Sequence, residues 1–260
     1  MRNIAVAFAI CILMILGSFH SIGVKNYKID KIVIDPGHGG RDPGTHGAIS
    51  EEKNVALKIA LELGRIIKEN LPEVEVVYTR NDDSFPQLHE RADLANQQDA
   101  DLFVSIHANW VANPRIHGME TYVMGIDKLE KNFQIAKREN SVILLEENSQ
   151  DEYDGFDPNS PESYILFSLY QSAYQQNSLR LAQNIESQMK TRVGRNSRGV
   201  RSAPFLVLWR TSMPSVLFEV GYLSNAKEER DLNDKLNQVY IASGIYRAFR
   251  DYKQELESMN

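Results

Sequence analysis

Cysteine is almost absent from this chain, where Cys11 stands alone. A disulfide framework is therefore excluded, and any metal site must be built from His, Asp and Glu. An excess of basic charge is missing too. Lys+Arg number 29 against Asp+Glu 35, for a formal net charge of −6. That sign argues against nucleic acid as the main partner, because phosphate binding wants a basic face. No internal repeat and no long low-complexity linker divides the 260 residues, so a single domain is expected. Long apolar runs are also lacking. The longest, Ile4 to Leu16, falls short of the roughly 20 residues needed to span a bilayer core.

That short run carries its own message. Arg2 precedes it, and the small or polar residues Gly17, Ser18, Ser21 and Gly23 follow. This is the layout of a secretory signal peptide. Residues 1–23 are read as an export signal, lost together with Cys11 and His20. An uncleaved membrane anchor or a buried helix are the alternatives. The mature domain would span 24–260 and contain no cysteine.

Hydrophobic residues at 42% and charged residues at 25% are the balance of an ordinary globular protein. Short β-rich runs alternate with helical stretches. Lys31–Asp35, Glu75–Thr79, Leu102–Ile106, Met119–Met124, Leu206–Leu208 and Ser215–Val220 read as strands. Glu51–Asn70 reads as a helix with Ser50 as its N-cap, since Val55, Ile59, Leu63 and Ile66 recur at helical spacing. Pro86–Gln97 reads as a short helix, Glu162 to about Arg192 as a longer one, and Leu236–Leu256 as the last. Asn225 with Glu228 forms a candidate capping box. The alternation predicts an α/β fold, with a mixed, mostly parallel sheet of about six strands flanked by helices. One stretch breaks the rhythm. Asn140–Pro161 carries Glu146, Glu147, Asp151, Glu152, Asp154 and Asp157. An acidic run is usually a solvated surface, yet an ordered loop of this length is uncommon without a function.

Two of the six histidines occupy special places. His38 follows the first strand in Asp35-Pro36-Gly37-His38-Gly39-Gly40, and His107 follows the third in Ser105-Ile106-His107-Ala108-Asn109. In open α/β sheets ligands bind at the carboxyl ends of strands, and neutral imidazole is the commonest protein metal ligand. A third ligand can come from the start of the helix after the His38 loop, where Glu51 and Glu52 compete on spacing alone. Two histidines and a carboxylate are a known catalytic zinc set. Glu219, inside the apolar run Ser215–Val220, is costly to bury unless paired or functional. A general base for an activated water is the functional reading; a strand end emerging into water is the bland one. His46 and His117 lie in loops where they could contact substrate, and His89 reads as structural.

The combination of IDPGHGGRDPGTHG at Ile34–Gly47, EEKNVAL at Glu51–Leu57, VSIHAN at Val104–Asn109 and FEVGYLSN at Phe218–Asn225 resembles the zinc-dependent N-acetylmuramoyl-L-alanine amidases of the type-3 class. Segments at Arg80–Asp83 and Leu88–Asn96 also look like that family. The resemblance implies Zn2+ held by His38, Glu52 and His107, with Glu52 chosen because it directly precedes Lys53, and Glu219 as the catalytic carboxylate. It implies hydrolysis of the amide between N-acetylmuramic acid and L-alanine in peptidoglycan, in wall turnover and daughter-cell separation; the export signal points to the periplasm, and a monomer is expected. Division-associated members carry a helical insertion that covers the cleft until a LytM-type partner displaces it. Residues 139–174 fall in the corresponding place, with Glu146, Glu147 and Glu152 as candidates to reach the zinc. Two rivals are a carboxypeptidase acting within the stem peptide and a non-catalytic wall-binding module.

Overall fold

The computed structural model describes residues 28–125, 130–147, 149–160, 162–164 and 173–259. The expected export signal lies outside the described residues, as do parts of the expected insertion. Among the described residues, no helix is long and apolar enough to cross a membrane.

Six strands form one sheet: β1 (Lys31–Pro36), β2 (Glu75–Tyr78), β3 (Leu102–Asn109), β4 (Met119–Met124), β5 (Ser197–Ala203) and β6 (Ser215–Tyr222). Their order is β2-β1-β3-β6-β4-β5. The first four in that order run parallel, β4 pairs antiparallel with β6, and β5 runs parallel to β4. Strands β3, β4 and β6 are buried along their whole length, which is why they read as continuous apolar runs.

Helices cover both faces. Among the described residues they include α1 (Glu52–Asn70), α2 (Leu88–Gln97), α3 (Glu130–Asn140), α4 (Ser149–Glu152), α5 (Gln175–Gln188), α6 (Leu206–Trp209), α7 (Ala226–Asn233) and α8 (Lys235–Ser258). α1 buries Val55, Ile59, Leu63 and Ile66 against one face, in a core shared with α5 and α8. Each such side chain contributes about 1.5–3 kcal/mol when fully buried. The opposite face carries a second cluster around Phe103, Tyr122, Phe205 and Leu217. Ile135, Ile143, Tyr153 and Phe156 extend it, so α3 and the segment after it pack on the molecule with an apolar side of their own.

The sheet matches the expected mixed, mostly parallel form, with three local corrections. Leu206–Leu208 is the start of α6 rather than a strand; its three apolar residues are buried without entering the sheet. The edge strand is instead Ser197–Ala203 (SRGVRSA), whose polar composition hides it from a hydrophobicity reading. Ser50 does not cap α1. Glu51 is the N-cap residue, without a side-chain bond, and the Ser50 hydroxyl donates to Glu229 Oε1. The Asn225 cap does form, accepting from the Lys227 and Glu228 amides. Glu228 does not complete a capping box; it accepts from the Gly118 and Tyr222 amides.

Candidate active site

The carboxyl ends of β1, β3 and β6 meet at one edge, and the polar residues that interrupt these strands gather there. His38 leaves β1 on a backbone at φ 61°, a left-handed conformation uncommon for a residue with a side chain. Two buried guanidiniums hold it there. Arg80 donates to the Pro36 and Gly37 carbonyls at 2.9 and 2.7 Å. Arg91 donates to the Pro36 and His38 carbonyls at 2.9 and 2.8 Å and pairs with buried Asp35 at 2.8 Å. Asp35 also accepts from Thr79 and Ser105. The chain before His38 is thus tied down at each carbonyl, at positions whose motifs were visible but whose purpose was not.

His107 lies on β3 in register with Glu219 on β6, next to an irregularity between His107 and Asn109. A bulge at such a place re-aims a side chain. The His107 ring rests on Gly37, where a Cβ would come within 2.4 Å of it. Glycine is required there by close approach.

Glu52 opens α1 and is wholly buried. One oxygen accepts from the Thr45 amide at 2.8 Å and the other from the Ala108 amide at 2.9 Å. The same Oε1 lies 3.1 Å from His38 Nε2 and 3.0 Å from His107 Nδ1. Glu51, its rival on spacing, is 41% exposed and close to Lys53 and Asn54 instead. His38, Glu52 and His107 are therefore brought together, and Glu51 is left outside.

A fourth member comes from α3. Glu139 Oε2 lies 3.1 Å from His38 Nε2 and 3.4 Å from His107 Nδ1. The expected acids of the inserted segment are elsewhere. Glu146 accepts from the Leu88 amide and the Tyr153 hydroxyl, Glu152 lies 3.8 Å from His89, and Glu147 is exposed. Glu139 was missed because it ends a polar helix just before the acidic run and nothing local marks it. His89 packs edge-on against Tyr153, a structural role. His46 lines an open cleft of about 670 Å³ beside the cluster, with His38, Trp110, Arg138 and Glu139. His117 does not; it lines a separate depression with Arg195 and Glu228.

The donor atoms of His38, Glu52, His107 and Glu139 all lie within 4.8 Å of one another, and the four residues are buried. His38 Nε2 and Glu139 Oε2 are buried without a hydrogen-bond partner, although each has an opposite-charge atom at contact distance. Two imidazole nitrogens and two carboxylate oxygens gathered this closely fit a divalent cation. His38 Nδ1 bonds Asp42 at 2.7 Å, the outer support that fixes a ligating imidazole. Glu219 adds a wholly buried carboxyl whose two oxygens are both unpartnered.

The charges respond to this crowding. Burial opposes charge on His38, but the Glu52 carboxylate and the bonds to Asp42 and Glu139 outweigh it and hold the ring well above its ordinary value. Burial likewise opposes charge on His107, and bonds to Glu139 and Glu52 raise it to about 9. Glu52 and Glu139 resist burial through the imidazoles and, for Glu139, through Arg138; both are held below the usual carboxylate range. Glu219 is pushed well above it by burial and by the charges of Glu52 and Glu139.

Two imidazoles and converging carboxylates at the carboxyl edge of a mostly parallel sheet make a site that could hold one metal ion. Residues 32–251 match the Amidase_3 family, described as N-acetylmuramoyl-L-alanine amidase. The chain belongs to this family. It is 33% identical over 225 residues to N-acetylmuramoyl-L-alanine amidase AmiA of Escherichia coli (strain K12), covering 85% of this chain and 75% of that one. Among solved structures it is similar to an N-acetylmuramoyl-L-alanine amidase from Clostridium difficile 630, with a TM-score of 0.65, 28% identity, and coverage of 87% of this chain and 97% of that one. It is also similar to the CwlD amidase from Clostridioides difficile, solved in complex with the GerS lipoprotein, with a TM-score of 0.63, 25% identity, and coverage of 87% and 99%.

Proposed function

We propose that this chain is a zinc-dependent N-acetylmuramoyl-L-alanine amidase that cleaves the lactyl–alanine amide of peptidoglycan outside the cytoplasm. The convergence of His38, Glu52 and His107 beside the unpartnered carboxyl of Glu219 carries this reading. When bound, zinc would acidify a water molecule toward a pKa of about 7 and polarise the carbonyl to be attacked. His38 Nε2, Glu52 and His107 Nδ1 would hold the ion. Glu219 takes the proton of the attacking water as the carbon–oxygen bond forms. It passes that proton to the alanine nitrogen as the carbon–nitrogen bond breaks, leaving a lactyl carboxylate and a stem peptide with a free amino end.

Glu139 fills the place next to the two imidazoles that substrate would need, and its charge is one of those that push Glu219 above the usual carboxylate range. Residues 139–174 then act as a regulatory insertion. Withdrawing Glu139 both opens the cleft and removes one of the charges that push Glu219 up. A LytM-type activator is the partner proposed to withdraw it, during wall turnover and daughter-cell separation. Residues 1–23 would direct export to the periplasm, and residues 24–260 would act there as a monomer.

The test is digestion of purified sacculi by the zinc-loaded protein, with mass analysis of what is released. Whole stem peptides beginning with L-alanine are expected. Release only of amino acids from within the stem would sink the amidase assignment.

A further inference from the structure

The row of side chains that contains His107 and Glu219 does not stop at β6. Glu219 is the register partner of His107 on one side and of Glu120 on the other, so all three project from one face at strand spacings of about 5 Å. Glu120 is wholly buried. Its Oε1 accepts from Lys131 at 2.7 Å and Arg198 at 2.8 Å, its Oε2 accepts from the Tyr122 hydroxyl at 2.6 Å, and Arg201 stands 4.0 Å away. Three cations thus meet one carboxylate whose oxygens are already satisfied. Their side chains remain 39, 23 and 26% exposed, and Arg201 Nε is buried without a partner. The Tyr222 ring forms a wall, with Lys131 5.9 Å and Arg198 5.6 Å from its centroid.

One carboxylate neutralises one cation. Among the described ion pairs, the remaining positive charge has no counterpart in the cluster. Half-buried guanidiniums with open donors bind carboxylates strongly and with defined geometry. We infer that Lys131, Arg198 and Arg201 form a subsite for a free carboxylate on the peptide side of the substrate, one strand beyond Glu219. This rests on the amidase reading, which places the scissile amide at Glu219. An acidic stem residue linked onward through its side chain would leave its α-carboxylate free to reach these cations. Two extended residues span about 7 Å; Glu120 lies one strand spacing of about 5 Å from Glu219, with Lys131, Arg198 and Arg201 at 2.7, 2.8 and 4.0 Å from its carboxylate. The cluster thereby sets the direction of the substrate in the cleft, with the stem peptide toward β4 and β5.

The experiment uses two muropeptides that differ only at the second residue, one with the free carboxylate and one with its amide. The ratio of their kcat/KM values is measured for the zinc-loaded protein, with Glu139→Ala as a common background so that the Glu139 carboxylate limits neither. A preference for the free acid of about tenfold or more is expected, the size of one charge-assisted contact. Arg198→Gln and Arg201→Gln should each reduce the ratio, and Arg198→Lys should restore most of it. Calorimetry of the two released peptides, acid against amide, reads the same preference without turnover. A ratio near one in the parent, or variants that keep the parent's ratio while folded, would overturn the subsite. Uncut substrates together with tighter binding of the acid peptide would instead overturn the amidase reading and leave the carboxylate site standing.

Discussion

Glu52 and Glu139 face the same pair of imidazoles, but different parts of the molecule hold them. Glu52 opens a 19-residue helix packed into the main core, and backbone amides of two other segments grip its oxygens. Glu139 sits near the end of α3. Its Oε1 takes two bonds from Arg138, whose side chain is 32% exposed, and its Oε2 has no hydrogen-bond partner. Arg138 is in turn held by the Trp110 carbonyl and the Asn109 side chain. The first carboxylate is part of the frame and the second is attached to it through one arginine. Glu52 is thus fixed by backbone amides, whereas Glu139 is fixed by a side chain that can rotate away.

Substitutions at and around the two carboxylates separate their roles. The largest effect is expected at the neighbour of both, Glu219. Glu219→Gln should lower the rate of amide hydrolysis by about a thousandfold or more, while metal analysis still finds zinc; a variant cutting sacculi at the normal rate would remove Glu219 from the reaction. Next come the two carboxylates themselves. Glu52→Ala should weaken zinc binding by about a hundredfold or more. Glu139→Ala should leave the ion bound and raise basal hydrolysis by about tenfold. Equal loss of zinc in both variants would erase the distinction between them.

A smaller effect concerns pH in the metal-free protein. His107 is raised to about 9 in the fold, against an unfolded value of about 6.5. A raised group contributes stability that is complete below the unfolded value and lost as pH rises through the folded one. Metal-free protein should therefore lose on the order of 3 kcal/mol between about pH 6.5 and 9. Denaturant midpoints for the parent and His107→Ala would differ in slope across that window. Parallel curves would show that the imidazole carries no such charge. The smallest effect is expected at Arg138. Arg138→Ala should loosen Glu139 and raise basal hydrolysis by only about threefold, because the helix that carries Glu139 remains in place.

Much of the site lay open in the residue order, for a physical reason. His38 and His107 each end an apolar strand, and the ends of parallel strands converge by the geometry of the sheet. Glu219 stood out because a carboxylate within an apolar run demands an explanation. Glu51 and Glu52 could not be separated by spacing, since adjacent helix-start residues differ only in where they point. The decision between them is made by the Thr45 and Ala108 amides, which belong to other segments.

Residue order alone determined that β1, β3 and β6 exist, that α1 is amphipathic, and that two imidazoles lie at one edge. Those features rest on local periodicity and burial, which are written in neighbouring residues. Only the folded chain decided that SRGVRSA is the edge strand, that Glu139 rather than Glu146 reaches the histidines, and that Glu120 gathers Lys131, Arg198 and Arg201. Each of these depends on charged residues far apart in sequence meeting across strands. Polar side chains look alike as letters, and their partners are assigned only when the sheet brings them into register.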